Sequence, residues 1–301
     1  MILENLVLVI SLIAIGSLIK KTSWFPKNTA DVLNSFVLNI SLPAIILVSI
    51  PSLKMNSQIA YPVLIHWFAI SVHLILIFIA YKVFKLSKSV LGALIIVSTL
   101  GNTAFVGIPM SKGFFGMEAV PFAVLYDQLG SGIGFIIYGA FILPLFTASK
   151  KQTVGDVYKM LITFPAFIAL VLGFALSFAP PLPSLVSGTL NQLAATLIPC
   201  AMIAVGFSMN YKLPKSTLSP LAIGLVLKLV LLPFIVLGVV KGMGLKGIAT
   251  ETSVLQSGMS PMITAGAMAT SAKLEEELSV ALVGFGLIFS FATLAALKYF
   301  L

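Results

Sequence analysis

Arginine is absent from this chain of 301 residues, charged side chains make up only 9% of it, and cysteine occurs once. So little charge, with 59% hydrophobic residues and a mean hydropathy of +1.13, excludes a soluble globular protein. The single Cys200 excludes an intrachain disulfide framework, and inside its apolar run it reads as a small packing residue. No long polar segment occurs, which leaves no room for a separate soluble domain. The start, Met1-Ile2-Leu3-Glu4, has no basic region, and no small-residue cleavage site follows. The first apolar run is therefore expected to be retained as a helix. GxSxG, HExxH and paired intramembrane aspartates are all missing, so the chain is not expected to be an enzyme and no catalytic residue is assigned. No metal-ligand spacing surrounds His66 and His73, so neither a metal site nor a cofactor is expected.

What is present is a series of apolar runs. A spanning helix needs about 20 apolar residues. Ten runs qualify, at 2–19, 30–50, 59–81, 89–111, 119–147, 160–178, 185–209, 218–240, 248–271 and 277–299. The fold class read from this pattern is an all-α polytopic membrane protein with ten spans. The fourth run contains Gly101, Asn102, Gly107 and Pro109 in its middle. Glycine costs about 1 kcal/mol and proline about 3 kcal/mol in a helix interior. Broken backbone at membrane depth is tolerated only where protein or a wet cavity covers it. Span 4 is thus expected to be discontinuous and to line a site. Span 9 carries a similar break, Gln256-Ser257-Gly258-Met259-Ser260-Pro261.

Two landmarks repeat. Leu42-Pro43-Ala44 in span 2 is similar to Ile198-Pro199-Cys200 in span 7, and Pro109 in span 4 answers to Pro261 in span 9. The two offsets agree to within a few residues. They divide the chain into a first five-helix repeat (1–147), a linker (148–159) and a second five-helix repeat (160–301). An odd number of spans per half inverts the second half, so the fold is a 5+5 inverted repeat with broken, crossing spans 4 and 9. Lysines test the topology. Twelve lie in the connections after spans 1, 3, 5, 7 and 9, including Lys150, Lys151, Lys212 and Lys215. Five lie on the other side, including Lys54, and Lys228 is intramembrane. The bias puts both termini outside and the 148–159 linker in the cytoplasm. Lysines arranged in this way report membrane orientation and not nucleic-acid binding.

The Gly-Asn-Thr…Gly-Ile-Pro stretch at 101–109, the Tyr126-Asp127-Gln128 that follows and Pro261, set in five plus five spans, resemble the auxin efflux carrier family over nearly the whole chain. The short central loop is like that of prokaryotic members, which include malate and malonate permeases, and the fold is similar to that of bile acid:sodium symporters. The resemblance implies a scaffold domain of spans 1, 2, 6 and 7, and a transport domain of spans 3–5 and 8–10. It also implies elevator-type movement in the cell membrane and a homodimer.

The half-helices after Pro109 and Pro261 are expected to offer partly positive amide ends to an anion. The substrate candidates are Asn102, Thr103, Gly107, Pro109, Gln256, Ser257, Ser260 and Pro261. The repeat sets apolar Val254 against Asn102, which shifts the polar role in span 9 to Gln256 and its serines. Asp127 is a carboxylate inside span 5, a functional candidate by its cost alone. Asp127, Gln128, Ser131 and His73 are the candidates for ion or proton coupling, with Na+ at Asn102, Asp127 and Gln256 as the alternative to H+. Lys228 is expected either to form a structural ion pair with Asp127 or to attract an anion. The function these residues suggest is secondary transport of a small organic anion, a carboxylate, by alternating access. The alternatives are a sodium-coupled symporter of the bile-acid type, or a receptor or enzyme of the membrane.

Overall fold

The computed structural model describes residues 2–53, 56–149, 152–208 and 217–301, with side chains from Val7 onward. Of the lysines counted above, Lys54, Lys150, Lys151, Lys212 and Lys215 lie outside the described residues. Among the described residues there is no strand, and the helices are α1 (Ile2–Ile19), α2 (Thr29–Ser52), α3 (Ser57–Val83), α4 (Lys88–Ser98), α5 (Ile108–Phe115), α6 (Met117–Leu145), α7 (Val154–Thr163), α8 (Pro165–Leu176), α9 (Ser184–Ser208), α10 (Leu218–Gly242), α11 (Ile248–Ser257), α12 (Ile263–Ser271) and α13 (Glu276–Phe300). Six of them, α2, α3, α6, α9, α10 and α13, are long and apolar enough to cross a membrane. α7 and α8 make a seventh candidate if taken together, although they meet at a bend of 64°.

Proline decides much of the local geometry. It has no N–H to give to the carbonyl four residues back, and its ring crowds that carbonyl. The turns Val37–Ser41, Thr103–Gly107, Tyr138–Ile142 and Leu227–Leu231 are all widened to π form. Each contains the residue four before a proline: Asn39 before Pro43, Phe105 before Pro109, Ala140 before Pro144 and Leu229 before Pro233. The widened turn absorbs the missing bond and keeps the helix going. Two further π turns, Leu94–Ser98 and Asp127–Gly132, have no such proline.

The chain forms two compact units. The first comprises Met1–Asn56, Ala104–Val124 and Met160–Met209. Its tightest packing is between α1 and α9, where main chains touch. A Cβ on Gly16 would meet the Ile203 carbonyl, one on Gly206 would meet the Ile13 carbonyl, and the Ser17 hydroxyl donates to Gly206 O at 3.0 Å. Without a hydrophobic drive between helices in lipid, small residues that allow such approach are what join them. α2 and α9 are also joined by the hydroxyls of Ser41 and Thr196, 2.7 Å apart.

The second unit comprises Ser57–Thr103, Leu125–Lys159 and Asn210–Leu301. Its core is built on α4, whose residues Ala93, Leu94, Ile96 and Val97 are fully buried, with Leu278 and Leu282 of α13. Gly224 of α10 lets Leu94 and Leu282 come close, since a Cβ there would stand 2.7 and 2.8 Å from them.

Gly206→Val is expected to force α1 and α9 apart at a cost of about 1–3 kcal/mol, the usual range for overpacking. Thermal unfolding of the purified protein in detergent reads this. Gly188→Ala is the control, because a Cβ there has nothing within 4 Å. Equal melting temperatures for both variants would count against the contact.

Candidate functional site

α4 ends at Ser98, and the helical backbone does not resume until Thr103. α11 ends at Ser257 and α12 begins at Ile263. The two interruptions pair with each other. Asn102 N–H donates to Ser260 O at 2.7 Å and Met262 N–H donates to Leu100 O at 3.0 Å, enclosing an antiparallel bridge between Gly101 and Pro261. The pair inside such a ring exchanges no bonds of its own. Pro261 therefore stands where its missing N–H costs nothing, and Gly101 presents no side chain to the close approach. These bonds answer the groups that two helix ends would otherwise leave open in hydrocarbon.

Asn102 and Ser260 are directly opposed residues of this short ladder, so their side chains leave from one face of it. Both are buried, and neither Asn102 Nδ2 nor Ser260 Oγ has a partner. Gln256 comes alongside through its Nε2, 3.4 Å from Thr103 O. A carbonyl can only accept, so the amide nitrogen must face Thr103. The free atom of Gln256 is then Oε1, which is buried and unpartnered.

Thr103 continues the network into α6. Its hydroxyl donates to Asp127 Oδ1 at 2.5 Å, and Gln128 Nε2 donates to Asp127 Oδ2 at 2.6 Å. Asp127 is 3% exposed and starts the π turn Asp127–Gly132, which also carries Ser131, whose buried hydroxyl has no partner. A single-turn π bulge inside a helix often marks a functional position. The amide nitrogens of Gln128 and Gln256 face the oxygens that a cation would use, so the present arrangement is one of hydrogen bonds.

Lys228 corrects the expected ion pair. Its ammonium does not reach Asp127; it is 3.5 Å from Thr99 O, just past the end of α4. The physical reason is twofold. Asp127 already has a donor on each oxygen, and the carbonyl end of a helix carries about half a negative charge. His73 is held to the same end of α4. Ser98 gives its one proton to Leu94 O at 2.6 Å, so His73 Nε2, 3.1 Å from Ser98 Oγ, must be the donor there. His73 Nδ1 is left buried and unpartnered. His66 makes no such bond. Its ring meets Tyr126 edge-on at 4.6 Å and fills the space that a Cβ on Gly130 would need.

The structure thus gathers Asn102, Thr103, Gln256, Ser260, Pro261, Asp127, Gln128 and Ser131 within the second unit, with Lys228 and His73 at the end of α4. Ser257 turns away, giving its hydroxyl to Val254 O at 2.7 Å. Gly107 and Pro109 belong to the first unit, where Pro109 lies in the opening turn of α5. Sequence reasoning passed over Ser98 and Thr99. The available signal was a polar pair closing the apolar run that begins at Val90.

Comparison with known proteins gives one consistent picture. A sequence profile described as membrane transport protein matches residues 1–297. An uncharacterized transporter of Methanocaldococcus jannaschii is 28% identical over 271 residues, covering 87% of each chain. An uncharacterized transporter of Methanothermobacter thermautotrophicus is 24% identical over 284 residues, 93% of this chain and 90% of that one.

Thr103→Val is expected to leave Asp127 with an unanswered oxygen, at about 1–3 kcal/mol. Thr103→Ser keeps the donor. Unfolding midpoints in detergent should therefore fall for valine and recover for serine; a serine variant as unstable as valine would show that methyl packing, not the hydrogen bond, matters at 103.

Proposed function

The chain belongs to the membrane transport protein family, that of the auxin efflux carriers, and from this premise we propose that it is a secondary transporter of a small organic anion, a carboxylate. The observation that carries the reading is the opposed pair Asn102 and Ser260, buried and unpartnered on one face of the joined interruptions. Buried polar groups are ordinarily satisfied. Two that are not, at a helix break in a transporter, suit a bound polar solute. Asn102 Nδ2 can only donate, which fits a carboxylate oxygen. The amide end of α12, which begins just after Pro261, adds positive potential on this reading.

The ten spans, the 5+5 inverted repeat and the crossing of spans 4 and 9 belong to the same proposal. The interruptions at 99–102 and 258–262, with their mutual bonds, support it. Alternating access would be of the elevator type. The grouping of α1, α2 and α9 in one unit and of α3, α10 and α13 in the other supports a scaffold and a transport domain. The grouping differs from that expectation at Ala104–Val124, which joins the first unit. Both termini face outward from the cell membrane on the lysine count, and the working form is a homodimer.

Coupling is assigned to protons through Asp127, whose two donors hold it in a dry site between Thr103 and Gln128. His73, Gln128 and Ser131 support that step. Sodium coupling would require Gln128 to withdraw its amide nitrogen from Asp127, while Gln256 Oε1 is already free.

Uptake into proteoliposomes across a panel of mono- and dicarboxylates, under imposed proton or sodium gradients, is the test. Asn102→Ala should reduce uptake about ten- to a hundred-fold, since a hydrogen bond to a charged group contributes about 1.5–3 kcal/mol. Asp127→Asn should abolish the response to a proton gradient. Unchanged transport in Asn102→Ala, or no uptake of any carboxylate, would remove the basis of this reading.

A further inference from the structure

We propose that α7 is an interfacial helix, lying in the headgroup region of the bilayer with its apolar face toward the acyl chains. None of its ten residues is buried by the protein. Val154, Val157, Tyr158, Leu161 and Ile162 recur at helical spacing on one face; Gly155, Asp156, Lys159 and Thr163 occupy the other, with Met160 the one apolar residue there. The apolar face is open, with Val154 76% and Tyr158 64% exposed.

The helix is nevertheless sharply defined. The Thr153 amide and hydroxyl donate to Asp156 Oδ2 at 2.9 and 2.7 Å, and Asp156 N–H donates back to Thr153 Oγ1 at 3.2 Å. This reciprocal cap fixes the first turn. At the other end Pro165 holds Phe164 extended (φ −75°, ψ 119°), and the chain bends by 64° into α8. A capped helix of this length is marginal in water without a surface to lie on.

The occupant of its apolar face follows from what α7 joins. α8 is an apolar helix read as part of a span, so its first turn lies at the membrane boundary. A helix turned sharply aside at that boundary runs toward the membrane plane. Its composition is that of a surface-seated helix, amphipathic and with an aromatic at headgroup depth in Tyr158. Asp156 and Lys159 balance each other, so apolar burial and not charge drives the seating, and zwitterionic lipid suffices. The boundary between the two units falls inside α7, after Lys159.

The single cysteine makes the test direct. In a Cys200→Ala background, single cysteines at 154, 155, 157, 158, 159 and 161 carry a nitroxide, and the full chain is reconstituted in phosphatidylcholine vesicles. Collision with oxygen should exceed collision with a water-soluble nickel chelate at 154, 157, 158 and 161, and the order should reverse at 155 and 159. The profile should repeat about every 3.6 residues. Adding phosphatidylglycerol should leave it unchanged. Uniform access to nickel would overturn the proposal, as would apolar positions closed to both reagents, which would mean a protein partner. The readout needs no transport, so its failure is separate from failure of the carboxylate reading.

Discussion

Hydrocarbon offers no hydrogen bonds, and this one constraint organises the second unit. Every main-chain group released by a helix break must be answered from within the protein. Two breaks answer each other here. The amide of Asn102 finds Ser260 O, and the amide of Met262 finds Leu100 O. What the ladder leaves over is taken by side chains reaching in from neighbours: Lys228 from α10 at Thr99 O and Gln256 from α11 at Thr103 O. The polar residues of this unit are therefore gathered by the needs of its backbone before any solute is considered. At the paired breaks themselves the side chains of Thr99, Asn102, Gln256 and Ser260 each keep a buried atom unanswered.

Proline sets the other recurring pattern. At Pro43, Pro144 and Pro233 the helix continues and a π turn opens one turn earlier, whereas α9 passes Pro199 with only a turn at Thr196. Where the helix does not continue, as at Pro261, a glycine lies close by and the chain leaves the helix altogether. The π turn at Asp127–Gly132, like that at Leu94–Ser98, has no proline that requires it. Its widening is associated with Gly130, Gly132 and the ring of His66 against Gly130, and it carries Asp127 beside Thr103.

Much of this was legible in the sequence, and the residues that carried it share a property. Glycine and proline have backbone meanings that hold in almost any context, so the interruptions near Gly101 and Pro261 could be read directly. Lys228 could not, because its partner is a main-chain carbonyl that exists only once α4 has ended; a search for a carboxylate pointed to Asp127 instead. Ser257 and Ser260 could not be told apart either. Both are hydroxyls near a break, but one folds back on its own helix and the other does not. The repeat offset set Asn102 against Val254, whereas contact sets it against Ser260. A repeat relates positions by a constant difference, while antiparallel segments run past each other in opposite directions. All six clear spans were read within two residues at both ends, because their apolar runs are long and bounded by polar residues or turns.

The bonds that join Leu100–Asn102 to Ser260–Met262 are all between main-chain atoms. The frame is therefore indifferent to which side chains stand at 102 and 260. Evolution can alter those two positions while the join keeps its strength, and under the carboxylate proposal the recognised solute changes with them. Such separation of frame from selectivity allows one architecture to diversify across many cargoes through a few substitutions, without each change having to be rescued elsewhere in the fold.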